Sequence, residues 1–126
     1  MISVLNIIGN ELNGLGIPYE YMEWTDGIQY PYWVGEYSEV TTDAEDGGKE
    51  YTFMLTGTTK GTWLELEDSK TKIENHFPVA GGFKISTETG GVVIFYENAI
   101  PVPTGEADLK RIQVNLRIKY WKGMNN

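Results

Sequence analysis

The chain has no cysteine and a single histidine, His76. Without thiols there are no disulfides, thiolate metal ligands or cysteine nucleophiles, and the composition suits a reducing cytoplasm. Cations are scarce as well: ten Lys and Arg stand against eighteen Asp and Glu, a formal charge of −8. That balance argues against general binding to a phosphate backbone, so no specific nucleic-acid partner is expected. Its plain consequence is solubility. No apolar run approaches the ~20 residues of a membrane span. The apolar start, Met1 to Asn10, lacks a basic region and a small-residue cleavage site, so we expect a soluble protein with no export signal and no membrane partner. Serines are few (Ser3, Ser38, Ser69 and Ser86), and none sits in a Gly-x-Ser-x-Gly elbow that would support a hydrolase triad. Gly47-Gly48-Lys49 is not a phosphate loop, because the Gly-x-x-x-x-Gly-Lys-Ser/Thr string is absent.

What is present is a globular composition: 126 residues, 40% hydrophobic and 13% aromatic, enough for one domain with one core. Fifteen glycines and five prolines fit many turns between short strands. The clearest local signal is the C-terminal alternation. Ile112, Val114, Leu116, Ile118 and Tyr120 fall on one face of a strand, and Arg111, Gln113, Asn115, Arg117 and Lys119 on the other. One face is therefore buried and the other is wet and basic, on an otherwise acidic chain.

At the other end, Ile2, Leu5, Ile8, Leu12 and Leu15 follow helical spacing, with Gly14 or Gly16 as the stop. Ile17–Trp24 reads as a strand entered at Pro18, and Thr25-Asp26-Gly27 as a turn. Tyr30–Val40 is an aromatic-rich strand. Residues 41–49 read as a long mobile acidic loop, and about Glu50 to Thr58 as a strand with Tyr51, Phe53 and Leu55 on one side. Trp63, Leu66, Ile73 and Phe77 mark a second helix, with Thr62 and Glu65 spaced as a capping box. A hairpin follows around Glu88-Thr89-Gly90-Gly91, then the long last strand and a frayed tail at about 122–126. The order α-β-β-β-α-β-β-β predicts an α+β two-layer sandwich: a mostly antiparallel sheet of about five or six strands packed by two helices, in a single domain over 1–126.

Sites of chemistry are weak throughout. His76 has no sequence partner and reads as a surface histidine favoured by a helix C-terminus. Asp43, Glu45 and Asp46 are the candidate ligands for a weak magnesium or calcium ion, especially one shared between subunits, but the full calcium-binding loop is absent and a solvated loop is the simpler reading. No other cofactor is expected. Tyr30, Tyr32, Trp33 and Tyr37 could stack on sugars, though aromatics also build cores and interfaces. Tyr32 and Trp33 are adjacent, so they face opposite sides and at least one belongs to the core. Glu36 and Glu39 likewise face opposite sides and cannot easily flank one bond, which places an enzyme last.

Three stretches carry a family likeness. One is the leading helix running into Leu15-Gly16-Ile17-Pro18-Tyr19. Another is the strand opening Tyr30-Pro31-Tyr32-Trp33-Val34. The last is the loop Ile100-Pro101-Val102-Pro103-Thr104-Gly105-Glu106 before an alternating strand that ends in aromatics. With these and its element order, the chain resembles, over nearly its whole length, the tail terminator (tail completion) proteins of long-tailed bacteriophages and prophages. The resemblance implies a virion structural protein with no catalytic residues. Such proteins form a ring, often a hexamer, that caps the tail tube, stops polymerisation of the tube protein and meets the head–tail connector. The expected place is the head-proximal end of the tail, after assembly in the host cytoplasm, and the expected partners are the chain itself, the tube protein and the connector. Tyr32, Trp33 and Tyr37 are the candidate interface aromatics. The acidic loop with Asp43, Glu45 and Asp46, and the basic face of Arg111, Arg117 and Lys119, are the candidate complementary sides of the seam. A head–tail joining or other minor tail protein is the nearest alternative, and a carbohydrate-binding module using the Tyr/Trp cluster is the next.

Overall fold

A computed structural model describes residues 2–40, 48–87 and 90–122. Its elements run α1 (Ile2–Gly14), β1 (Tyr19–Tyr21), β2 (Tyr32–Val40), β3 (Lys49–Thr59), α2 (Trp63–His76), β4 (Phe83–Thr87), β5 (Gly90–Pro101) and β6 (Lys110–Lys122). The strands form one six-stranded sheet in the order β1-β2-β3-β6-β5-β4. Only the β1–β2 pair is parallel. The fold is α+β, with the element order the sequence predicts.

Helix α1 follows its apolar period, but the stripe is rotated. Val4, Ile8 and Leu12 are its buried residues, Leu5 and Leu15 flank them, and Ile2 is exposed. A spacing of four from Val4 to Ile8 to Leu12 keeps these three on one line, whereas Ile2 stands two positions from Val4 and so about 200° round the helix from it. The helix ends in a Schellman motif. Gly16 has φ of 75°, its N–H donates to the Asn13 carbonyl at 3.0 Å, and the Ile17 N–H donates to that of Leu12 at 3.1 Å. Leu12 and Ile17, the pair this motif brings together, are both buried.

The two helices cover one face of the sheet. On that face Tyr51, Phe53 and Leu55 of β3 stand in register with Ile118, Leu116 and Val114 of β6, which in turn meet Ile94 and Tyr96 of β5 across Ile118 and Leu116. Leu66, Ile73 and Phe77 descend onto them from α2 and its C-cap. Each large apolar side chain buried here contributes roughly 1.5–3 kcal/mol. Trp33 of β2 is fully buried over Gly57 of β3, its register partner.

Three local expectations are corrected. The strand expected over Ile17–Trp24 is only three residues long, for a reason given below. Thr62 occupies the N-cap position of α2, but its side chain makes no capping hydrogen bond. The Glu65 carboxylate instead accepts from the Thr59 hydroxyl at 2.7 Å, and the same hydroxyl accepts from the Gly61 N–H at 3.0 Å. Thr59 is fully buried at the end of β3. Satisfying that buried hydroxyl takes the carboxylate away from the cap. Trp63, expected on the apolar face, is 43% exposed in the first turn.

Candidate interaction surface

The sheet face without helices is built by the alternate residues of every strand. The alternation on β6 sends Arg111, Gln113, Asn115, Arg117 and Lys119 there, opposite Thr58, Thr56, Met54, Thr52 and Glu50 of β3. These side chains are half-buried and linked. The Arg111 Nε donates to the Thr58 hydroxyl at 3.2 Å, Gln113 donates to Asn115 at 2.9 Å, and Asn115 donates to Asn98 at 2.7 Å. Arg117 lies 3.7 Å from the Glu50 carboxylate, with its guanidinium 4.9 Å from the centre of the Phe95 ring. Part of the expected charge complementarity therefore closes within one chain, since Glu50 ends the acidic stretch and Arg117 belongs to the basic face. Partly exposed pairs of this kind hold little free energy, but they fix side-chain positions.

The sequence suggests a long charged strand at a subunit seam. The topology places β6 between β3 and β5, so its backbone is paired on both sides and only its face is available. The sheet edges lie elsewhere. At one end β1 covers only Trp33 to Gly35 of β2. Its pairing stops because Met22 takes φ of 70°, a left-handed conformation rare for a residue with a Cβ. The Met22 N–H makes the last bond across, to the Gly35 carbonyl at 2.8 Å. The departing turn is held by Glu20, whose carboxylate accepts from the Thr25 hydroxyl at 2.6 Å and from the Thr25 and Asp26 N–H groups. These bonds, the Thr25 hydroxyl foremost, hold the Glu20 carboxyl below its ordinary pKa. Beyond Gly35, the outer side of β2 from Glu36 to Val40 carries no strand among the described residues. β4 forms the opposite edge.

The aromatic residues separate as their alternation requires. Trp33 is fully buried, so its side chain can serve neither an interface nor a sugar, and it is withdrawn from the candidate set. Tyr32 faces the other way, 5.4 Å from Trp24 and 5.8 Å from Tyr30 between ring centres. The Lys60 ammonium stands 5.9 Å from the Tyr30 ring. Tyr37 is 37% exposed and meets Tyr51 edge-on at 5.7 Å. The candidate ion ligands Asp43, Glu45 and Asp46 lie outside the described residues, as do most of the expected tail (residues 123–126) and Glu88 and Thr89 of the hairpin turn.

One contact is invisible to local sequence reading. His76, expected as a free surface residue, is half-buried; its Nε2 lies 2.7 Å from the Glu11 carboxylate on α1, and its ring stacks on Phe83 at 5.0 Å. The pair ties the two helices together from 65 positions apart. A groove of about 380 Å³ lies between α1 and β1, lined among others by Leu5, Asn6, Gly9 and Tyr19. The Tyr19 hydroxyl is buried without a hydrogen-bond partner, and burial pushes its pKa up to about 12.

No family model and no curated protein matches the sequence. Solved structures do match by fold. A chain from the virion of a native gene transfer agent particle aligns with 89% of this chain and 84% of its own length, at a TM-score of 0.66 and 16% identity. A second solved protein aligns over 88% of this chain and 84% of its own, with a TM-score of 0.66 and 11% identity. At these identities the likeness is one of fold.

Proposed function

We propose that this chain is a virion structural protein that forms a ring on the end of a tail tube, stops tube growth and joins the tail to the head. The observation that carries the reading is the near full-length likeness in fold to a chain of a gene transfer agent virion, in the element order that the tail terminator resemblance implies. The surfaces found are consistent with an assembly role. Among the described residues they are a broad preorganised polar sheet face, two sheet edges and an exposed aromatic rim, rather than a cleft with convergent acids and bases. Arg111, Arg117 and Lys119 give the helix-free face its basic character, suited to an acidic partner surface. Tyr32 and Tyr37 remain interface candidates. Asp43, Glu45 and Asp46 remain candidates for an ion that strengthens the ring.

The test has two parts. The mass in solution is measured by light scattering across concentration, with and without magnesium. Binding to purified tail tubes and to head-connector rings is then compared by co-sedimentation and negative-stain microscopy. A discrete ring-sized species, and protein located only at tube ends, is the expected result. Binding to connector rings but not to tubes would assign a head–tail joining role instead. Failure to bind either would overturn the reading.

A further inference from the structure

We propose that copies of this chain join by strand addition, with β4 (Phe83–Thr87) of one copy pairing in parallel with the outer edge of β2 at Glu36–Val40 of the next. The proposal rests on the ring reading above and specifies its seam.

Among the described residues no strand covers the β2 edge beyond Gly35, because β1 is made to leave it. Met22 turns the chain away after Gly35, and the Glu20 carboxylate holds the turn through Thr25 and Asp26. The groups this exposes can be assigned. The Trp33 N–H donates outward to the Pro18 carbonyl, and the Gly35 carbonyl accepts outward from the Met22 N–H. Backbone groups alternate sides along a strand, so Tyr37 and Glu39 also direct their N–H and C=O outward. An edge of this kind templates a further strand.

The two edges match on both faces. Register through the sheet puts Tyr37 of β2 and Ile85 of β4 on the helix-bearing face, and Glu36 of β2 and Lys84 of β4 on the helix-free face. Every pair from β2 to β4 across the sheet is antiparallel, so β2 and β4 run in the same direction. A seam that keeps all helices on one side must therefore pair them in parallel. With Glu36 beside Lys84, Tyr37 lies beside Ile85: an ion pair on one face and an apolar contact on the other. Pairing of β2 with another β2 would instead set two acidic strands edge to edge, with Glu36 near Glu36 or Glu39 near Glu39 according to register, and β4 with β4 would bring Lys84 near its own copy. The complementary edges lie at opposite ends of one sheet, so the contact is heterologous and closes into a ring if the rotation permits.

The absence of native cysteine makes the direct test clean. The double variant Glu36→Cys, Lys84→Cys, treated with diamide, is expected to give a ladder of disulfide-linked oligomers that ends at the ring size. Neighbouring strands bring paired Cα atoms within disulfide reach. Neither single variant should cross-link. A dimer from Glu36→Cys alone, or from Lys84→Cys alone, would show like-edge pairing and overturn the proposal. Glu39→Pro removes an outward N–H while leaving the β3 ladder intact, and is expected to weaken association at least about tenfold with an unchanged circular dichroism spectrum. Should that variant fail to fold, charge exchange replaces it. Glu36→Lys or Lys84→Glu alone should weaken association about tenfold, and the two together should restore it. Rings that form normally in Glu39→Pro, with no cross-link in the double cysteine variant, would sink the seam and leave the ring reading standing. Loss of tube binding by the parent protein would sink the ring reading by a separate measurement.

Discussion

Replacing Gly57 with alanine probes the tightest contact in the core. A Cβ at this position would stand 2.5 to 2.7 Å from three atoms of the Trp33 indole, where carbon atoms prefer about 3.5–4.0 Å. The ring must move by about an ångström. It has nowhere easy to go, because Trp33 is fully buried and its backbone is fixed on the other side of the strand, where the main-chain N–H donates to the Pro18 carbonyl. Overpacking of this kind costs about 1–3 kcal/mol, and an off-rotamer indole adds about 1 kcal/mol. The gain from a stiffer unfolded chain is only about 0.4–1 kcal/mol, so the steric cost wins. The expected net loss is about 2–3 kcal/mol, a fall in Tm of roughly 10 °C for a domain of this size. Urea denaturation followed by tryptophan fluorescence measures it, and the m-value should not change. The mechanism also fixes a coupling. Trp33→Phe leaves a cavity into which the new methyl can fit, so Gly57→Ala should cost at least about 1 kcal/mol less in that background. A net loss below 0.5 kcal/mol, or strict additivity of the two changes, would refute the steric argument.

Three further outcomes follow from other contacts. Tyr19→Phe removes a buried hydroxyl that has no partner, and should leave the fold unchanged or stabilise it by up to about 1 kcal/mol in urea melts. Because burial raises the Tyr19 pKa to about 12, the unfolded chain ionises first. The contribution of this residue is then complete below about pH 10 and is lost as pH rises toward 12, so alkaline unfolding should be delayed in Tyr19→Phe. Glu11→Ala and His76→Ala should each cost roughly 1–2 kcal/mol, with strong coupling in a double-mutant cycle, since each leaves the other half-buried without its 2.7 Å partner. Gly16→Ala, at φ of 75°, should cost about 1 kcal/mol in thermal melts through left-handed strain, whereas Gly14→Ala, inside α1 with open space around its Cα, should be neutral or better.

Much of this architecture can be read from local periodicity. The alternation from Ile112 to Ile118 states which face of β6 is buried, and the structure buries that face. Tyr51, Phe53 and Leu55 do the same for β3, and Leu66 and Ile73 for α2. The adjacency of Tyr32 and Trp33 requires that they part to opposite faces, and they do. These are properties of a single segment, fixed by the geometry of the backbone that carries it.

Other features depend on segments far apart in the chain. Which of Tyr32 and Trp33 enters the core is set by Gly57, 24 positions on, whose missing side chain makes room for an indole. His76 finds Glu11 only when α1 and α2 lie side by side. Thr59, buried at a strand end, draws Glu65 away from the cap its spacing suggests. Period-two alternation states the face of a strand but nothing of its place in the sheet. The strongest strand pattern in the sequence therefore looked like an outer surface, while hydrogen bonding to β3 and β5 puts it at the centre. The exposed backbone falls instead to Glu36–Val40 and to β4, because strand order is fixed by pairing between distant segments and no local pattern encodes it.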